Sequence, residues 1–379
     1  MGIKLLLIIY LFSGAKQLIL ASEIDSFTRR EEFLKNLKDP TNKINQKINW
    51  YIQLSIKKAN KKSHSCDLEK LHKYSKNFLG GHFRFFLGPR YMRHNNLYRW
   101  LKYAKKYSTG IDVGHIKVKH SIYRNFGGLN APSLALVSKI NDTMSYILQI
   151  DNLLIGTDKI SGHFFQRGFW YFADHYGLSV KGQEFITAKA REKFALDTMI
   201  HSEVSLYGAK STGISSFADL AANFQGLRFW NKFTGLAKDI ITQEVPRPYV
   251  KCLAKKWVQV QQVDIMDYLN AAWDEGYNCS KFQKKKLARS VKRRVEKLDN
   301  YRAGFHCPLD LARLQSTKSV YGEYYDKLVN EVAYLKIQKK SHDRWVPPEV
   351  FPYIDDAERA ARKASASANN DTTFNNPFF

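Results

Sequence analysis

The chain has 379 residues, 44% of them hydrophobic, which excludes a wholly disordered protein and allows one large or two medium domains with a sizeable core. Lys and Arg number 60 against 35 Asp and Glu, a net charge of +25 that points toward an anionic partner. Past the N-terminus no stretch supplies the ~20 uninterrupted apolar residues of a membrane span, and no C-x-x-C or paired Cys/His spacing speaks for a zinc site.

Residues 1–22 read as a secretory signal. Lys4 gives a small positive start, Leu5 to Phe12 an apolar stretch, and Ser13/Ala15 or Ala21/Ser22 the small residues of a cleavage site. An uncleaved anchor is the other reading, for which the apolar run is short. Export makes disulfides available to Cys66, Cys252, Cys279 and Cys307. Four cysteines allow three pairings, and the local expectation joins Cys279 to Cys307 or to Cys252.

Residues 23–150 form an N-terminal region, mostly helical to about 107. Ile44 to Lys58 and Asp67 to Phe78 carry apolar residues at three- and four-residue spacing. Ile111 to Ile122 alternates partially, with His115, Lys117 and Lys119 on one face, and suggests a strand. Ser133 to Ile140 and Thr143 to Ile150, with the turn Asn141-Asp142 between them, predict a β-hairpin, and Asp151-Asn152 makes a further turn.

Residues 151–240 then predict three helices. The first runs from about Asp158 to His175, the second from about Gly182 to Leu206, and the third from Ser216 to about Phe233. Residues 241–354 make a basic, Cys-containing region whose dense run is Lys281 to Lys297. Residues 355–379, with the low-complexity stretch Ala364 to Asn370, read as a disordered tail. The fold class expected is mainly α (α+β): a helical bundle core with a small β-hairpin before the motif helices.

The segment 151–230 holds eight acidic and eight basic residues, so the surplus charge lies outside it. Within it, polar residues recur where packing alone does not need them. Thr157 is placed to cap the first helix, and Lys159, His163 and Arg167 follow at four-residue intervals on one face. Asp158, Lys159 and His163 would then line a pocket at a helix N-terminus, where an anionic group is favoured. Asp158 could instead serve only the helix dipole, for ~0.3–1 kcal/mol, and His163 could be a hydrogen-bonded core histidine. Ser216-Phe217-Ala218-Asp219 fits a capping box, in which Asp219 reaches back to the Ser216 amide. Capping leaves Asn223 unexplained, and Gly226 inside a helix costs about 1 kcal/mol relative to Ala, which suggests close approach of a backbone or ligand. Glu203 near a helix C-terminus is disfavoured by the dipole, so a partner such as Lys159, an Arg or a metal is expected.

Asp158, Lys159, His163, Phe164, Glu203, Gly208, Ser216, Asp219, Asn223 and Gly226 follow the order D-K-x-x-H-F, Glu then Gly, S-x-x-D-L-x-x-N-x-x-G. Over about 70 residues the chain therefore resembles the YfiM-like bacterial periplasmic proteins and lipoproteins, a group related to the VanZ-like family. Three residues rather than the family's two separate Lys159 from His163. In a regular helix that turns His163 by about 100°, and a local bulge at Gly162 would restore it. VanZ-like proteins are integral to the membrane, whereas these helices are amphipathic and broken by charge, so the periplasmic group is the nearer one.

The resulting expectation is an exported protein of the bacterial cell envelope. Asp158, Lys159, His163, Glu203 and Asp219 are the candidate catalytic residues, and Thr157, Ser216, Asn223 and Gly226 the candidate ligand-binding ones. In the leading reading they form a structural or anionic-ligand-binding network between helices. In the alternative the protein hydrolyses phosphate or ester bonds of envelope lipids or polymers. His163 would be the general acid/base, Asp158 or Asp219 its orienting carboxylate and Lys159 an anion clamp, with a divalent metal on Asp158, Glu203 and Asp219 as an option. No cofactor is specified by a motif. The partner expected for the basic run is anionic membrane lipid or cell-wall polymer. Nucleic acid rests on charge alone, with no docking motif beside it.

Overall fold

A computed structural model of the chain describes residues 23–80, 96–102, 104, 109–124, 144–176, 187–204, 208–298 and 307–332. The expected signal segment, Ser133 to Ile140 with its Asn141-Asp142 turn, the start of the second motif helix and the C-terminal tail lie outside these residues.

The protein is mainly α with short β elements. After α1 (Arg30–Asn36), α2 (Thr41–Lys62) buries Ile44, Ile48, Tyr51, Ile52, Ile56 and Ala59, the stripe that its spacing predicts. Helix α3 (Leu68–Leu79) packs on α2 and is started by Asp67, whose carboxylate accepts from the Lys70 amide at 2.9 Å. A short α4 (Leu97–Lys102) follows. The stretch Ile111 to Ile122 does not form the expected strand. It makes one bridge, Gly114 to Ile147, and a 3-10 turn over Val118–His120. The chain then turns inward, because the buried Asp25 carboxylate accepts from the Ile122 amide at 2.9 Å and Ile122 and Tyr123 enter a small core.

A β-hairpin forms about the expected Asp151-Asn152 turn, with its first strand taken from the end of the second arm of the hairpin expected upstream. Strand β1 (Ile147–Ile150) pairs with β2 (Leu153–Gly156) in the register Ile147↔Gly156 to Ile150↔Leu153. Asp151 and Asn152 both take positive φ, 49° and 59°, the backbone of a type I′ turn that Asp and Asn tolerate. All eight strand residues are buried, since helices cover both faces.

The first motif helix comes in two parts. Lys159–Arg167 is a nine-residue π-helix, and α5 (Gly168–Tyr176) continues it as an ordinary helix. The second is α6 (Ala188–Val204), followed by the single turn α7 (Ala209–Thr212) and the two-residue β3 (Ile214–Ser215). The third, α8 (Phe217–Thr234), starts at Ser216, whose hydroxyl accepts from the Asp219 amide at 3.2 Å, and ends on Gly235 at φ 64°. Fifteen of its 18 residues are buried, so α8 is the central helix, with the π-helix, α5 and α6 packed around it. Gly226 of α8 meets the backbone of Phe164 and Gly168. A Cβ on it would overlap the Phe164 carbonyl oxygen and come within 2.9 Å of Gly168 Cα. Of the two expected reasons for this glycine, backbone approach or a ligand, helix–helix contact explains its place.

Strands β4 (Val250–Leu253) and β5 (Lys256–Gln259) form a second hairpin, and β6 (Lys281–Phe282) pairs with β3. The basic helix α9 (Lys285–Val295) buries Ala288, Val291 and Val295 and exposes Lys285, Lys286, Arg289, Lys292 and Arg293, while half-buried Arg294 donates to the Ile122 carbonyl at 2.8 Å. Disulfides join Cys66 to Cys252 and Cys279 to Cys307, so the second matches one of the two local pairings expected. One core cluster draws residues from Ile44 to Val329, across the region boundaries that composition suggested. Among the described residues no helix is long and apolar enough to cross a membrane.

Candidate functional site

The π-helix and α8 face each other with their polar stripes inward. Lys159 is fully buried, and its ammonium donates to Asp219 Oδ1 at 2.5 Å and Glu275 Oε1 at 2.9 Å. His163 lies between two residues of α8. Its Nε2 is 3.2 Å from Asp219 Oδ2, and its Nδ1 is 3.2 Å from Asn223 Oδ1. One step further along the same face, Arg167 Nη1 is 3.5 Å from His163 Nδ1 and 3.5 Å from Glu203 Oε2. The wider turn of the π-helix is what lets Lys159, His163 and Arg167 all reach the centre, so the expected bulge takes the form of a whole π-helical segment.

The capping box is only half formed. Ser216 caps α8 through its hydroxyl, but its amide goes to Glu203 Oε1 at 3.0 Å rather than to Asp219. That releases the Asp219 carboxylate toward Lys159 and His163. Ser216 also donates through its hydroxyl to Glu275 Oε1 at 3.2 Å. Thr157 does not cap the first helix. Its hydroxyl lies 3.1 Å from that of Ser145, which accepts from the Asp158 amide at 3.3 Å. Of the expected residues, Asp158, Lys159, His163, Glu203, Asp219, Asn223 and Ser216 converge, whereas Thr157 stands one layer back and Gly226 serves packing.

Two acids were not expected. Glu275 follows the buried Asp274, which pairs with Arg30 at 2.8 Å. Glu275 itself takes Lys159, Ser216 and, at 3.2 Å, the Tyr123 hydroxyl. The signal for it was an acidic pair inside the otherwise uncharged run Ala271 to Asn278. Glu23 is 1% exposed, yet neither carboxylate oxygen has a hydrogen-bond partner among the described residues. No local pattern marks it, since it enters from a distant part of the chain.

The electrostatics are those of a dry centre with too many acids. Burial pushes Glu23 and Glu203 well above the usual carboxylate range, helped for Glu23 by Glu275 and for both by Asp219. Burial also raises Asp158, opposed by Lys159, and lifts Glu275 to about 7 against the same cation. Asp219 is the exception. Burial pushes it upward, but His163, Lys159 and Arg167 together hold it below the ordinary value. Burial would lower Lys159, yet Asp219, Glu275, Asp158 and Glu23 keep it firmly charged. Burial drives His163 well below its normal value despite Asp219, so its ring is neutral.

Among the described residues five carboxyl groups thus face two permanent cations, Lys159 and Arg167. Lys159 is saturated by two of them and does not present itself as an anion clamp. Asp158 is the partly exposed member of the group, with its carboxylate folded back over Gly156, where a Cβ would collide with it. Comparison with family models, with curated proteins and with solved structures finds no match to this chain.

Proposed function

We propose that this is an exported protein of the bacterial cell envelope whose buried charged centre binds a positively charged ligand, and whose basic helix rests on an anionic lipid or wall-polymer surface. The observation that carries the reading is the surplus of acid. A network built only to join helices gains from matched partners, because a buried acid left without one costs free energy whether it is charged or protonated. Among the described residues Glu23 is buried with no hydrogen-bond partner, and five carboxyl groups share two permanent cations. The same surplus argues against an anionic ligand in the centre.

Export is supported by the leader-like N-terminus and by the pairing of all four cysteines. Surface docking is supported by α9, where Lys285, Lys286, Arg289, Lys292 and Arg293 are exposed on one helix. A concave patch beside it is lined by Arg124, Ser290, Arg293, Arg294 and Lys297.

A second reading, hydrolysis of phosphate or ester bonds, is favoured by His163, which sits between Asp219 and Asn223 as an oriented imidazole does in acid–base catalysis.

Denaturant unfolding of Asp158→Asn and Glu23→Gln in the presence of a chelator tests the main reading. Both variants unfold at the wild-type midpoint or above it if the acids are held for function at a cost to the fold. A loss of roughly 1–3 kcal/mol in each would make them members of a packing network and remove the reading.

A further inference from the structure

We propose that Asp158, His163 and Asp219 hold a divalent metal ion of the zinc or manganese class, with Glu23 as a further carboxylate facing it. This rests on the cation-binding reading above and names its ligand.

Among the described residues these three offer one ligand atom each, all within 4.8 Å of one another. Two metal–ligand bonds of roughly 2.0–2.6 Å end to end span such a separation. The option based on Asp158, Glu203 and Asp219 is replaced, because Glu203 turns away to Arg167 and the Ser216 amide.

The histidine has the orientation of a ligand. Its Nδ1 faces the Asn223 carbonyl oxygen at 3.2 Å and its Nε2 faces Asp219 Oδ2 at 3.2 Å; in the tautomer that donates from Nδ1–H to Asn223, the Nε2 lone pair is aimed at Asp219. A lone pair set against a carboxylate is repulsive unless a cation or a proton lies between them. A ligating histidine commonly donates its other N–H to a carbonyl or carboxylate, which is the part Asn223 plays.

Glu23 is the independent sign. It is almost completely buried, has no hydrogen-bond partner for either oxygen among the described residues, and has Glu275, Asp219, Lys159 and Glu203 as its main charged neighbours there, so it faces the same centre. Gly156 makes room for the Asp158 carboxylate where any side chain would displace it. One imidazole with two or three carboxylates suits zinc or manganese better than calcium, which takes oxygen alone, or copper, which favours more nitrogen and sulfur.

The test uses the full chain, purified without chelator and with its disulfides intact. Elemental analysis is expected to find zinc or manganese in a one-to-one ratio with protein. After stripping, addition of Zn²⁺ or Mn²⁺ is expected to raise the Tm, while Mg²⁺ at the same concentration does not. Asp158→Asn is expected to remain folded and lose this response. Asn223→Ala, which acts only through His163, should weaken binding by roughly 10–100-fold. Should Asp158→Asn fail to fold, Co²⁺ added to stripped wild type provides the readout, with visible ligand-field bands that Asn223→Ala shifts. Wild-type protein that is metal-free as purified, unmoved in Tm by all three ions and colourless with Co²⁺ overturns the metal proposal. The broader reading would still stand if Asp158→Asn and Glu23→Gln keep wild-type stability in chelator, and would fall separately if they do not.

Discussion

The two halves of α8 are built against the same neighbouring helix and obey different rules. Its first turns carry Asp219 and Asn223 into a charged centre with Lys159, His163 and Arg167. Its last turns carry Phe229, Trp230 and Phe233 into an aromatic layer with Phe165, Phe169 and Phe172. Each half contains a buried histidine from a partner helix, and in both burial keeps the ring neutral. His72 has aromatic edges around it and no hydrogen-bond partner for either nitrogen among the described residues. His163 has a carboxylate on one nitrogen and an amide on the other. Burial of a histidine is thus a packing fact in one place and a chemical one in the other. What separates them is whether the neighbours orient the ring nitrogens.

The sharpest way to break this contrast is Trp230→Ala. Its indole fills the aromatic layer and donates to the Phe165 carbonyl at 2.9 Å, so the loss should reach roughly 3–5 kcal/mol in denaturant unfolding. A cost below that of neutralising the acids would mean that the aromatic half is not the stabilising one. Gly226→Ala, at the junction of the halves, should cost about 1–3 kcal/mol by forcing the two helices apart. A neutral result there would show that the contact relaxes freely.

His72→Phe separates the histidines by pH. The His72 ring is pushed down to about 3 by burial, against an unfolded value near 6.5. A depressed value gives stability that is complete above pH 6.5 and is lost as pH falls toward 3. Wild type should therefore lose roughly 2 kcal/mol relative to His72→Phe between pH 7 and pH 5. Parallel stability curves for the two proteins would mean that the ring is solvated or partnered. The smallest effect belongs to Ser216→Ala, about 1 kcal/mol from the lost N-cap, read as a small fall in Tm. A much larger fall would mean that Ser216 holds the charged centre together through Glu275 as well as starting the helix.

The helices α2, α3 and α8 were legible because local spacing and caps determine them. So was the Asp151-Asn152 turn, which closes the β1–β2 hairpin. The alternation over Ile111 to Ile122 misled because a strand also needs a partner, and only Gly114 finds one. Within the site, Asp158 to Asn223 could be picked out from unexplained polar spacing. Asp219 was separable from simple capping only once Glu203 had taken the Ser216 amide. Glu23 was invisible because it reaches the centre from a sequence-distant segment with no pattern, and Glu275 was marked only by its acidic pair with Asp274, not by any periodic signature. The π-helix was legible only indirectly, as one residue too many between Lys159 and His163.

The Cys66–Cys252 bond has a consequence for connectivity. It closes residues 66–252 into a covalent ring that contains the hairpin, the π-helix, α6 and α8, and so most of the charged centre. Glu23 and Glu275 lie outside the ring and reach the centre from its two free arms, one on either side. A single protease cut within the ring would therefore leave the pieces tethered until a reductant is added, whereas a cut in either arm could release an acid from the centre without opening the ring.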